Sequence, residues 1–553
     1  MKKTLAALTV FLLSHTSAYA APATPEEAKR LTELFQTYVG KEPGIVAVVP
    51  AGEAYDVTLD MMALAKKTEG MAQSDLSKTK VKMPPFVFHL TPQDNGKWVV
   101  AQDMPLDWSV VEPGKTTLTI KADSIKTDAI FDEKLMVFSS YKSDITNLSG
   151  VMQDDGRETK DSPILNFSVT NIHADGDAKS TGAGVFDGDY KVSMNGFSAA
   201  ADSLPQTDGS APISGKVTLD KLGYSVLLKG VKGQAFLDMI KWGIALPPEN
   251  QGKDGKLTPV QQGEVKALIV AAMPFFQSIS INYGLDKLAI TSPLGNAGLD
   301  KVTVAVDLSG AVKDGFFREA ISLEGLTTPQ GILPPWSDPL MPDKFVIDFK
   351  VSDLDLESVT KLAIAEPEIL NNNSVGDVKA TNDDKLLKAI IPSGSAKLTL
   401  QVGKLAGKTY DFDFSGSVSG GPEVMPTGSG LIKAKDLIPL ITALQALPPE
   451  LGMAQASPVL IAFNSMAKKQ ADGTLQWYLD GTTFGKFLIN GVDFMSLLAL
   501  GGVSPPEPIE DLNAVDGSTI DGSATDDGDS SGTNSGGIDA TTDEEPKDPA
   551  KAE

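Results

Sequence analysis

Outside the first twenty residues the chain carries two histidines, His89 and His173, and neither has a second histidine beside it. His89 lies in Phe86-Val87-Phe88-His89-Leu90, on the strand face opposite Phe86, Phe88 and Leu90. His173 follows Phe167, Val169 and Ile172 in a similar stretch. A zinc site takes three or four His, Cys or carboxylate ligands at recognisable spacing. These two therefore read as strand histidines, facing solvent or satisfied locally. Cysteine is absent, which removes thiolate ligands and thiolate nucleophiles.

Other chemical patterns fail on context. Gly-x-Ser-x-Gly occurs only as Gly528-Asp529-Ser530-Ser531-Gly532, where the strand-to-helix turn of a nucleophile elbow has no flanking elements. Gly416-Ser417-Val418-Ser419-Gly420 has Val418 at its centre. Gly114-Lys115-Thr116 and Gly407-Lys408-Thr409 end like phosphate loops, but Ser109 and Val402 stand where the first glycine is required. Both read as tight turns opening strands. Ser139-Ser140-Tyr141-Lys142 has the Ser-x-x-Lys spacing without its partner motifs. Asp175-Gly176-Asp177 and Asp187-Gly188-Asp189 lack the spaced bidentate Glu of a calcium loop and read as hairpin turns. No catalytic, cofactor-binding or metal residue is assigned, and no cofactor is expected.

The elements around these residues are mostly strands. Phe345, Ile347, Phe349 and Val351 alternate with polar positions, as do Tyr410, Phe412 and Phe414, and Val302, Val304, Val306 and Leu308. Period-two runs of this kind have one dry and one wet face. Residues 24–40 form a helix, with Thr24 as N-cap, Pro25 in the first turn, Glu27 completing a capping box and Gly40 as the stop.

An internal repeat follows. One copy runs from a strand at 216–229 through Gly230 and Gly233 into a helix, Ala235–Leu246, then Leu246-Pro247-Pro248-Glu249, a helix at Glu264–Phe276 and a strand at 288–291. The other runs from strands at 397–402 and 409–418 through Gly428-Ser429-Gly430 into a helix, Leu437–Leu447. It continues through Leu447-Pro448-Pro449-Glu450 to a helix at Pro458–Lys468 and a strand at 474–479. Leu219-Asp220-Lys221-Leu222, Leu285-Asp286-Lys287-Leu288 and Leu299-Asp300-Lys301-Val302 echo one another and read as strand starts. Asp355–Ala365 and Val492–Leu500 read as short helices after strands.

The expected fold is therefore β-rich α+β: a long curved antiparallel sheet with short helices on one face, duplicated in its C-terminal half. The divisions are 1–20, 21–40 (helix), 41–210 (β-rich), 211–503 (duplicated) and 504–553. Residues 504–553 hold 14 acidic and 2 basic residues, a composition expected to stay disordered. Residues 1–20 have the charged start, short apolar run and Ala18-Tyr19-Ala20 cleavage pattern of a signal peptide, so a periplasmic location is expected. Net charge is -24, which argues against nucleic-acid binding. The longest later apolar stretches, near 267–276 and 494–503, are half of the roughly 20 residues that span a bilayer.

The leader, the alternating strands, the helix–Leu-Pro-Pro-Glu–helix unit and Asp472-Gly473-Thr474 before the terminal strand resemble an exported alphaproteobacterial family, domain of unknown function 2125. The chain is more distantly similar to AsmA-like envelope proteins. The resemblance covers 211–503 well and 41–210 loosely. It implies an envelope location and a long sheet with short helices, and lends no activity.

The expected function is binding or scaffolding in the periplasm without catalysis. Phe236, Met239, Ile240 and Trp242, with Leu440, leave little polar helix face. They either are buried or line a groove for an apolar ligand or partner helix. The alternatives are an assembly factor that binds another envelope protein and, behind it, an envelope hydrolase with an unrecognised site.

Overall fold

The computed structural model describes residues 22–64, 80–112, 116–154, 164–204, 213–246, 257–366, 377–422, 424–451, 456–482 and 486–494. The expectations for the leader 1–20, the acidic tail, Gly114-Lys115 and Pro247-Pro248-Glu249 lie outside them.

Alternation of apolar and polar residues builds one open antiparallel sheet. Its strands are β1 (Val46–Ala51), β2 (Ala54–Leu59), β3 (Lys80–Lys82), β4 (Phe86–Gln93), β5 (Lys97–Glu112), β6 (Thr116–Asp132) and β7 (Val137–Asp154). Next come β8 (Leu165–Gly182), β9 (Val185–Leu204), β10 (Ile213–Lys232), β11 (Ser278–Ser292), β12 (Gly295–Ser309), β13 (Gly315–Glu324) and β14 (Pro342–Leu354). The last are β15 (Ala396–Gly407), β16 (Asp411–Gly421), β17 (Val424–Ala434), β18 (Lys468–Lys469), β19 (Leu475–Asp480), β20 (Leu488–Ile489) and β21 (Val492–Asp493). From β4 to β17 each strand pairs with the next, and β9–β10 pairing carries the sheet unbroken across residue 210. Val492, expected in a helix, belongs to β21.

Helices cover the sheet at its two ends. Helix α1 (Pro25–Val39) starts at Thr24, whose hydroxyl accepts from the Glu27 amide at 3.2 Å. The expected capping box is only half made, because the Glu27 carboxylate turns to Arg30. Ala28 and Leu31 pack on Val48, Tyr55, Val57, Leu90 and Trp98. At the other end lie α6 (Ile438–Gln445) and α7 (Ala456–Ser465). There Leu437 and Trp477 are fully buried, and Phe463 stacks on Trp477 at 4.5 Å between ring centres.

Among the described residues the strand–helix–helix–strand unit occurs three times, once more than the two expected copies. Helices α2 (Gly233–Ala245) and α3 (Pro259–Ala272) join β10 to β11; α4 (Leu356–Ala365) and α5 (Asp377–Ile390) join β14 to β15; α6 and α7 follow β17. By strand alternation β10 and β14 run one way and β17 the other, so two pairs sit at one end of the strands and the third at the opposite end. Thr258 and Gln261 form a reciprocal capping box before Pro259, which starts α3 earlier than Glu264. Gly428-Ser429-Gly430, expected to lead into a helix, lies inside β17 opposite Gly416–Val418.

The Leu-Asp-Lys echoes also lie inside strands, where they pair. Leu219 faces Leu288 and Leu222 faces Leu285; Leu285 then faces Val302 and Leu288 faces Leu299. The row continues through Met194-Asn195-Gly196-Phe197 on β9, Val169-Thr170-Asn171-Ile172 on β8 and Ile145-Thr146-Asn147-Leu148 on β7. In a regular strand, positions i and i+3 point to opposite faces. On alternate strands of the row a residue between them departs from regular β geometry and keeps both on one face: Asn147 on β7, Gly196 on β9 and Lys287 on β11 have φ of 51°, 65° and 56°. Only glycine, and less readily asparagine, takes that conformation at low cost. The polar pair in each unit thus forms a transverse stripe that resets the alternation, so both halves of these strands keep the same apolar face.

Both Asp-Gly-Asp strings, expected as turns, lie within β8 and β9 and face each other: Gly176 opposes Tyr190, and Asp177 opposes Asp189. The glycines are needed by the Tyr190 ring, which lies 2.3 Å and 2.6 Å from where a Cβ on Gly176 or Gly188 would stand.

Candidate functional site

Following directly opposed residues from strand to strand defines the apolar face. One row starts Gln102, Thr127, Ser143, Ala174, Val192, Tyr224 on β5–β10. It continues through Tyr283, Val304, Ile321 and Ile347 on β11–β14. It ends through Gly403, Phe414 and Ile432 at Trp477 on β19. The first three members are polar; apart from the small Gly403, the rest are apolar.

Helices bury this face at its ends and leave it open between. Val192 is 39% exposed, Tyr283 47%, Leu398 47% and Val418 47%. Roughly ten strands at ~4.8 Å spacing make the open stretch about 45 Å long. Apolar surface of that extent left to water is uncommon on monomeric soluble proteins. The open stretch is bounded by two hollows. One, about 610 Å³, lies beside α1 and is lined by Phe35, Val39, Phe88, Leu90, Ile125 and Ile145 among others. The second, about 480 Å³, is lined by Leu400, Phe414, Val418, Ile432, Leu479 and Phe487 among others. Gly403 is required in the row between them, because the Phe414 ring lies 2.0 Å from where its Cβ would be.

The opposite face is polar and carries ion pairs across its strands. Arg318 bridges Asp307 at 2.5 Å and Asp348 at 2.8 Å; the bonds to Asp348 and Asp307 hold its guanidinium in the charged form. Lys229 meets Asp187 at 3.0 Å. The Gly230 amide and Lys229 keep the Asp187 carboxyl below the ordinary aspartate range. A shallow hollow of about 750 Å³ on this face is lined by Lys191, Ser193, Gly223, Ser225, Arg318 and Ala320 among others.

The histidines lie on the polar face, each opposite an aspartate of the neighbouring strand. His89 Nδ1 is 2.6 Å from Asp56 Oδ1. His173 Nδ1 is 2.7 Å from Asp144 Oδ1, and this contact lowers the Asp144 pKa. Among the described residues no three His, Cys, Asp or Glu side chains converge as a metal site would require. Ser139 donates to the Ile130 carbonyl from within β7, away from any helix start. Gly407-Lys408-Thr409 is a turn, with Lys408 on Asp338 and the Thr409 hydroxyl on the Pro339 carbonyl.

Of the helix residues expected as a groove lining, Phe236 is 56% exposed, and Met239, Ile240 and Trp242 are half-buried. The Trp242 ring donates to Glu264 across the α2–α3 hairpin at 3.0 Å. Leu440 is half-buried on α6, at the opposite end of the strands from α2. None of the five lines the hollows above. The face that does is readable residue by residue in the alternation, but assembling it needs the strand register. Sequence reasoning missed Gln102, Thr127 and Ser143; their signal is a polar residue at an apolar-phase position in three successive strands.

Among the described residues no helix is long and apolar enough to cross a membrane. The chain matches no protein-family model, no curated protein and no solved structure.

Proposed function

We propose that this chain is a non-enzymatic binding protein of the cell envelope that holds an apolar ligand along the open face of its sheet. The observation that carries the reading is the row from Val192 to Val304, where apolar side chains stay half-exposed between two helix-covered ends. Burying such surface is worth about 25 cal/mol per Å², so an uncovered face of this length is costly unless something covers it. Export through residues 1–20, and the resemblance to the exported alphaproteobacterial family and the AsmA-like proteins, belong to the same proposal. The non-enzymatic part rests on composition: the chain has no cysteine, and neither His89 nor His173 has a second histidine beside it.

Native mass spectrometry of protein purified gently from its own host, with solvent extraction of the same sample, tests the reading. A stoichiometric apolar ligand is expected. A bare polypeptide, both as purified and after incubation with envelope lipids, overturns it and leaves the protein-binding assembly factor as the working reading.

A further inference from the structure

The hollow beside α1 contains hydrogen-bond donors with nothing to receive them. Gln102 is 5% exposed, and its Nε2 has no partner among the described residues; nor has Trp108 Nε1. Both side chains line the hollow. Next to Gln102 in the same row, Thr127 and Ser143 are buried with their hydroxyls 3.0 Å apart. One hydroxyl hydrogen is used between them, and the other is left over. Buried polar groups are ordinarily satisfied, and each exception calls for an explanation. What this apolar hollow lacks is an acceptor.

Its lining carries no Lys, Arg, His, Asp or Glu. A carboxylate or phosphate placed there would lose its water without gaining a counter-charge. A pure hydrocarbon would fit the walls and leave the donors orphaned. Resting on the apolar-ligand reading, we propose that this hollow binds a neutral acyl ester or amide. Its carbonyl oxygen accepts from Gln102 Nε2 and the spare hydroxyl hydrogen of the Thr127–Ser143 pair, and its chain lies against Phe88, Ile125 and Ile145. The volume of about 610 Å³ falls within the roughly 300–1,000 Å³ of small-molecule sites.

The test is displacement of a fluorescent apolar probe from the full chain by methyl palmitate, palmitate at pH 7.5 and hexadecane. The same series is run on Gln102→Leu and Gln102→Met, whose melting temperatures report folding independently. Wild type is expected to bind methyl palmitate about fivefold or more tighter than hexadecane, the worth of one neutral hydrogen bond, with palmitate no better than hexadecane. Both variants should retain hexadecane and lose the ester's advantage. Equal binding of ester and alkane by wild type, a preference for palmitate, or an ester preference that survives in the variants would overturn the proposal while leaving apolar binding intact. Failure of all three compounds to displace the probe would instead sink the apolar-ligand reading itself.

Discussion

Asn147 donates a hydrogen bond from Nδ2 to Asp123 Oδ2 at 2.7 Å, joining β7 to β6 within the transverse stripe. Farther along the stripe, Lys287 Nζ meets Asp300 Oδ1 at 2.6 Å between β11 and β12. The side chains that interrupt the apolar alternation therefore tie neighbouring strands together where the backbone departs from regular β geometry. At Asn147 the backbone has φ 51°, a conformation that costs a β-branched residue about 1–2 kcal/mol. Asn147→Val should destabilise the sheet by about 2–3 kcal/mol, adding the lost hydrogen bond, whereas Asn147→Gly should cost less than half of that. Urea denaturation followed by circular dichroism separates the two, and equal losses would show that conformation is not the cause.

The three Leu-Asp-Lys units are visible in the sequence as echoes, but their meaning is not. Each leucine is ordinary by itself; only the pairing of Leu219 with Leu288 and Leu222 with Leu285 shows that one stripe crosses the strands. The strands at 342–354 and 295–309 and the helix after Thr24 follow directly from period and capping. Helix α5 gives no such signal. The run Thr381-Asn382-Asp383-Asp384 within it has no apolar residue, and its residue types are weak helix formers. The polar island of Gln102, Thr127 and Ser143 is hidden for a different reason: its members are 25 and 16 positions apart in the chain and meet only through register.

Glu133 ties α1 to the sheet, accepting from Arg30 at 2.5 Å and from the Trp98 ring at 3.0 Å. Arg30 holds its carboxyl below the ordinary glutamate value, against the opposing effect of burial. A depressed folded-state pKa contributes stability that is fully present above the unfolded value of about 4.3 and is lost as pH falls through the folded value. Wild type should therefore lose stability as the pH drops below about 4.3, and Glu133→Gln should lose less over the same interval. Acid titration of both proteins followed by circular dichroism measures the difference; parallel curves would remove Glu133 from the explanation.

Trp477 is fully buried, stacks on Phe463 and donates from its ring to the Phe463 carbonyl at 2.6 Å. Trp477→Ala should cost about 3–5 kcal/mol through the cavity it leaves. Trp477→Phe should cost less, since it keeps the stack and loses the ring donor. Thermal unfolding of the two variants checks the order.

On the open face, Tyr224 and Tyr283 lie ring against ring at 4.9 Å between centres, and Tyr283 is 47% exposed. Because water already reaches this ring, Tyr283→Glu should cost only about 1 kcal/mol, the worth of the lost ring pair. A carboxylate there would nevertheless be stripped of water by any apolar chain laid across the row, at a cost of several kcal/mol. Binding of a long apolar chain along the open face should fall about tenfold or more, while the melting temperature stays near that of wild type. Isothermal titration with a long-chain alcohol, alongside a thermal melt, measures both. Unchanged affinity in a folded variant would mean that the ligand does not cross the β10–β11 region, and would confine binding to the hollows at either end.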